Sequence, residues 1–113
     1  EPVEPVEPVE PAEPVKLSPD DISIRLQALP GWTCADGGLQ RQFTFASFPD
    51  AIAYVTRLAF DAEAADHHPD LLVSYRTVTV TWSTHSAGGI TEKDFAGASQ
   101  SDVVAARMAG SNA

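Results

Sequence analysis

Apolar residues recur at near-helical spacing at Ile22, Leu26 and Leu29, between Ser18-Pro19-Asp20-Asp21 and Pro30-Gly31. Ser18 suits a helix N-cap, Pro19 the first helical position and Asp21 the acid of a capping box, while the Pro-Gly pair ends the run. The period then changes from helical to two. Residues 32–34 and 39–45 flank Ala35-Asp36-Gly37-Gly38, a hairpin signal. In the second of these runs Leu39, Arg41, Phe43 and Phe45 share one face, and Gln40, Gln42 and Thr44 the other. Ser47-Phe48-Pro49-Asp50 repeats the cap, proline and acid. From it Phe48, Ile52, Val55, Leu58, Ala59 and Ala62 predict an amphipathic helix to about Ala65. Residues 71–75 and 77–84 read as two further strands, the latter with Val78, Val80 and Trp82 opposite Thr79, Thr81, Ser83 and His85. Gly88-Gly89 turns the chain, and Thr91-Glu92-Lys93-Asp94 caps a last helix reaching about Arg107. The predicted order α-β-β-α-β-β-α is α+β, a four-stranded antiparallel sheet with helices packed on one face.

The first fifteen residues follow neither period. They read EPVEPVEPVEPAEPV, with proline at every third position, which fixes φ and removes amide donors. Polyproline II also has about three residues per turn, so Pro, Glu and Val would each form a stripe. Residues 1–16 are therefore expected to be an extended tail or linker, and residues 17–113 one folded domain. A docking peptide for a protein partner is the sharper reading of the repeat.

Charge and cysteine content narrow the function. The chain of 113 residues carries a net charge of -9, which argues against binding nucleic acid, since affinity for phosphate depends on Lys and Arg. Five of the acids are the glutamates of the tail. Cys34 stands alone, which rules out an internal disulfide and a cysteine-rich zinc site, and reads as a small strand residue. No apolar run approaches the ~20 residues of a membrane span, and no signal peptide is visible. Cytosol is the expected compartment, with an organelle lumen as the alternative. A chain starting at Glu1 without methionine is expected to be a fragment or a processed form.

Candidate chemistry lies in "ADHHPD", residues 65–70, where His67 and His68 are adjacent, and in His85, which ends the fourth strand on its threonine-lined face. Three readings compete. Histidine exchanges a proton near neutrality at little cost, so these imidazoles with Glu63, Asp66 and Asp94 would make a proton-transfer site. Three histidines and a carboxylate would also suit zinc, although an adjacent pair chelates poorly. A polar turn is the plainest reading of His-His-Pro alone.

From Glu63 the chain runs E-x3-H-H-P-x5-Y-x9-H-x8-D, ending at Asp94. This resembles the signature of the pterin-4a-carbinolamine dehydratases. The similarity extends from "LPGW" (29–32) through "RQFTFASFPDAIAYVTRLA" and "AEAADHHPD" to "VTVTWSTHSAGGITEKDF" (78–95), and covers roughly residues 18–106. It implies the same α+β order, a homodimer or homotetramer with sheets pairing across the dimer, and neither metal nor organic cofactor. It implies as substrate 4a-hydroxytetrahydropterin, which loses water to give quinonoid dihydropterin in tetrahydrobiopterin recycling.

Carried to matching positions, the resemblance makes His67 and His85 the acid and base and gives His68 the holding and polarising of the pterin. Glu63 and Asp66 would tune or orient these groups, and Ser83 and Thr84 would hydrogen-bond the pterin edge. Asp94 closes the signature as a substrate-binding acid, yet Thr91-x-x-Asp94 is also a helix-capping arrangement. Pro69 and Tyr75 read as shape and packing residues, and Trp32 as core or site wall. Trp82, Leu71-Leu72 and Arg76 depart from the familiar pattern, with Trp82 in place of a smaller aliphatic. Relatives of this kind also act as dimerisation cofactors for a transcription factor or as Rubisco assembly factors, which makes a protein-binding module the alternative function.

Overall fold

The computed structural model describes residues 14–110, so the EPV repeat and the partner expected for it lie outside the described residues. Ser18 opens α1 (Pro19–Leu26), its Oγ accepting the Asp21 N–H at 3.1 Å, and Ser47 does the same for α2 (Phe48–Ala65) through the Asp50 N–H at 3.2 Å. Between them lie β1 (Thr33–Ala35) and β2 (Gly38–Thr44); after α2 come β3 (Asp70–Ser74), β4 (Thr77–Trp82), a single 3-10 turn (His85–Ala87) and α3 (Glu92–Gly110). All strands pair antiparallel in the spatial order β1-β2-β4-β3. The α+β architecture expected from the patterning is the one found.

The alternation of β2 and β4 decides which side is core. Leu39, Phe43, Val78, Val80 and Trp82 are buried beneath α2 and α3, against Tyr54, Leu58, Ala98 and Val104. On the opposite face the register sets Gln40 beside Thr81, Gln42 beside Thr79 and Thr44 beside Thr77, and each pair is hydrogen-bonded through its side chains. Arg41 lies on the apolar face and is accommodated by an ion pair with Asp102 at 2.8 Å and by stacking over Phe43. Tyr54 is fully buried, and burial pushes its phenol well above the usual tyrosine range while its OH donates to the Ser101 carbonyl at 3.1 Å. Trp32 belongs to the core, its indole N–H donating to Asp102 at 3.0 Å.

Two element ends shape the site, and the first of them differs from the sequence reading. The fourth strand stops at Trp82, because Thr84 pairs with Gly89 across a tight turn in which Gly88 takes φ 73°. His85 therefore sits in the 3-10 turn instead of ending a strand. The helix α2 closes with Asp66 in the left-handed conformation (φ 52°), the Asp66 N–H reaching the Glu63 carbonyl and the His67 N–H the Ala62 carbonyl. This double bond pattern is a Schellman closure, and it holds His67 and His68 directly past the helix end. Tyr75, read as a packing residue, instead stands 70% exposed at the β3–β4 turn, where it too has positive φ.

Candidate active site

The end of α2, the β4–α3 turn and the start of α3 converge on one cavity of about 360 Å³. Asp66, His67, His68, Ser83, Thr84 and His85 line it, with Pro14, Ser86 and Lys93 completing the wall. All three histidines, from positions 18 residues apart in sequence, thus border the same space.

Asp94 lies beneath that space and is completely buried. Its Oδ1 meets His67 Nε2 at 2.6 Å, while its Oδ2 accepts from Thr84 Oγ1 at 2.8 Å and from the Thr91 N–H at 2.9 Å. A carboxylate only accepts, so Nε2 of His67 must carry the hydrogen and Nδ1 is left to exchange a proton. The Thr84 hydroxyl spends its hydrogen on Asp94, so Thr91 Oγ1 donates to Thr84 across their 2.8 Å contact and accepts from the Lys93 N–H. Asp94 consequently does two things at once. It closes the first turn of α3 through the Thr91 N–H, and it fixes the tautomer and position of His67. Asp94 itself is completely buried and is not among the residues that line the cavity.

The other histidines are held less firmly. His68 Nε2 meets Glu63 Oε1 at 2.7 Å, but both groups are exposed, and such a pair contributes little to stability. Glu63 thus reaches the site through His68. His85 is exposed on its 3-10 turn, facing the same cavity. Among the described residues no group of three or more His, Cys, Asp or Glu side chains is arranged to hold a metal ion.

Trp82, Thr91 and Lys93 belong to this constellation without having been assigned to it from the sequence. Trp82 stacks on the His67 ring, with centroids 5.4 Å apart. Its position on the inward face of β4 one residue before Ser83 was the available signal. Lys93 read only as a member of the capping segment. On the far side of His67 a second, mostly apolar cavity of about 530 Å³ opens between α2 and α3 over Leu58, Ala62, Trp82 and Gly97. It is the larger of the two, but only the smaller one is bordered by all three histidines.

Fold and site together define a small α+β protein in which three imidazoles border one polar cavity and one of them, His67, is bonded to a buried carboxylate. The chain belongs to the pterin 4 alpha carbinolamine dehydratase family, whose model matches residues 15–104. It is 48% identical over 80 residues to a candidate pterin-4-alpha-carbinolamine dehydratase of Picosynechococcus sp., covering 71% of this chain and 87% of that one. A similarly named protein of Mycobacteroides abscessus is 51% identical over 80 residues, 71% and 85% of the two chains. Among solved structures, the transcriptional coactivator/pterin dehydratase from Brucella melitensis matches with a TM-score of 0.75 at 36% identity, over 80% of this chain and 98% of its own. A pterin dehydratase-like RuBisCO assembly factor of the alpha-carboxysome shares the fold, with a TM-score of 0.54 at 23% identity over 66% and 86% of the chains. No helix among the described residues is long and apolar enough to cross a membrane.

Proposed function

We propose that this chain is a 4a-hydroxytetrahydropterin dehydratase working by histidine acid–base catalysis, without metal or organic cofactor. The observation that carries the reading is His67, locked by the buried Asp94 with one ring nitrogen free, in a cavity shared with His68 and His85. Family membership supports the same reaction class.

In the reaction the bond from C4a to its hydroxyl breaks, the departing oxygen gains a proton and leaves as water, and a ring nitrogen loses a proton as the C=N bond forms. His67 is suited to accept that ring-nitrogen proton at Nδ1, because the imidazolium so formed stays paired with Asp94. His85, across the cavity and open to solvent, is suited to deliver the proton to the hydroxyl and be recharged from water. His68, steadied by Glu63, would hold and polarise the pterin, with Asp66 and Ser83 offering hydrogen-bond partners to its edge. Each positioned transfer is typically worth about 10²–10⁴-fold in rate.

A homodimer or homotetramer is proposed with this function. The edge strand β3 presents Leu72 at 65% exposure beside Tyr75, a surface that favours a neighbouring chain. The cytosol is the compartment proposed. A protein-binding role is the second reading, supported by the coactivator named in the Brucella relative.

An oxidised pterin, which has no 4a-hydroxyl to lose, tests the site. It is expected to shift the NMR signals of His67, His68 and His85 together, and variants His67→Ala and His85→Ala are expected to lose most of the dehydration rate. Shifts confined to other parts of the chain, or variants as fast as wild type, would overturn the assignment.

A further inference from the structure

We propose that Trp82 is a positioning residue for His67 and that Gly97 is the residue that makes room for it. The inference rests on the dehydratase reading and adds to it a feature outside the signature residues.

The bond to Asp94 fixes where Nε2 of His67 lies, but a single bond leaves the ring free to swing about it. The second constraint is the indole of Trp82, stacked on the imidazole at 5.4 Å with 30° between the planes. Edge and face together define the ring, and with it the direction of Nδ1.

Trp82 is itself held. It is 2% exposed, and its indole N–H donates to Ser101 Oγ at 2.9 Å, while the Ser101 hydroxyl donates to the Gly97 carbonyl at 2.8 Å. A β-carbon at Gly97 would fall 2.4 Å from the indole, closer than packing permits. Glycine is a poor residue for a helix interior, and Gly97 lies well inside α3, so the requirement it meets is the space taken by the ring. The apolar cavity beside Trp82 also borders His67. A smaller side chain at position 82 would enlarge that cavity and give the imidazole somewhere to turn.

The test uses Trp82→Leu, Trp82→Phe, Gly97→Ala and the double variant Trp82→Leu/Gly97→Ala, each confirmed folded by its NMR spectrum. The first readout is independent of activity. In wild type and Trp82→Phe the His67 ring protons should be shifted upfield by the stacked ring, and in Trp82→Leu that shift should vanish. The second is kinetic. Trp82→Leu and Gly97→Ala should each lower kcat on the order of tenfold with little change in KM, Trp82→Phe should restore most of it, and the double variant should be no slower than Trp82→Leu alone. His67 shifts unchanged in Trp82→Leu, or kcat unchanged when they do move, would overturn the proposal. A wild type with no dehydratase activity would remove the functional reading but leave the NMR comparison to decide whether Trp82 sets the His67 ring.

Discussion

Replacing Asp94 by Asn tests the buried end of the site with little change in shape. The Asp94 oxygens have separate duties: Oδ2 takes the Thr84 hydroxyl and the Thr91 N–H, and Oδ1 takes His67. An asparagine amide can keep the first duty with its carbonyl, which preserves the helix cap. Its NH2 then faces His67 Nε2 and donates, so Nε2 must accept and the ring hydrogen moves to Nδ1. The nitrogen that should receive a proton is then already protonated. Loss of one positioned transfer predicts a fall in kcat of about 10²–10⁴-fold, or roughly 3–5 kcal/mol of barrier. The stability cost should be smaller, about 1–2 kcal/mol, because the three bonds to the carboxylate all persist as neutral ones and no buried donor is stranded. KM should change little, since Asp94 is fully buried and does not reach the cavity. Stopped-flow dehydration at saturating substrate, paired with urea unfolding, reads both quantities, and the nitrogen shifts of His67 report its tautomer. If Asp94→Asn keeps kcat within about threefold of wild type, the role given to the Asp94–His67 pair is wrong.

Other residues separate stability from chemistry in different ways. Ser47→Ala removes the α2 cap far from the cavity and should cost about 1 kcal/mol in urea unfolding while leaving kcat unchanged. Asp66→Gly relieves a left-handed aspartate, a strain of roughly 1–2 kcal/mol partly offset by glycine's greater freedom in the unfolded chain, and should raise stability by up to about 1 kcal/mol, whereas any increase in KM measures what its carboxylate gives the substrate. Glu63→Gln should change stability by less than about 0.5 kcal/mol, because it and its partner His68 are both solvent-exposed, so a drop in kcat would report orientation of His68. Leu72→Lys on the exposed edge strand should shift sedimentation toward monomer with the fold intact, and an unchanged sedimentation profile would count against that edge as the contact.

Much of the fold was legible because the periods of β2 and β4 are unmixed. Their apolar stripes land on the buried side as read, and Ser18 and Ser47 cap the helices they were expected to cap. The α2 stripe lands there only in part: Leu58 and Ala62 are buried, but Phe48, Ile52 and Ala59 are exposed, and Ala51 and Tyr54 complete the buried face instead. The end of β4 was not legible. The run Trp82-Ser83-Thr84-His85 continues the alternation, and it is the Thr84–Gly89 pairing, a contact specified by the glycine turn, that ends the strand. Within the site, the histidines of the signature border one cavity with Asp94 bonded to His67, while Tyr75 stands apart at the β3–β4 turn, and the arrangement of the groups needed burial. Asp94 reads equally as cap or ligand in sequence, and only its zero exposure shows it serving α3 and His67 at once. Trp82 reads as a core residue of β4, and nothing local reveals that a histidine fifteen residues earlier, beyond another strand, will stack against its ring.

The central claim is that this chain accelerates loss of water from 4a-hydroxytetrahydropterin. It is tested most directly by generating that compound in a rapid mix and following the appearance of quinonoid dihydropterin with and without the wild-type protein. The account predicts a rate that rises in proportion to protein concentration, well above the spontaneous reaction, and falls back toward it when His67 and His85 are both replaced by alanine. A wild-type protein that leaves the spontaneous rate unchanged would contradict it.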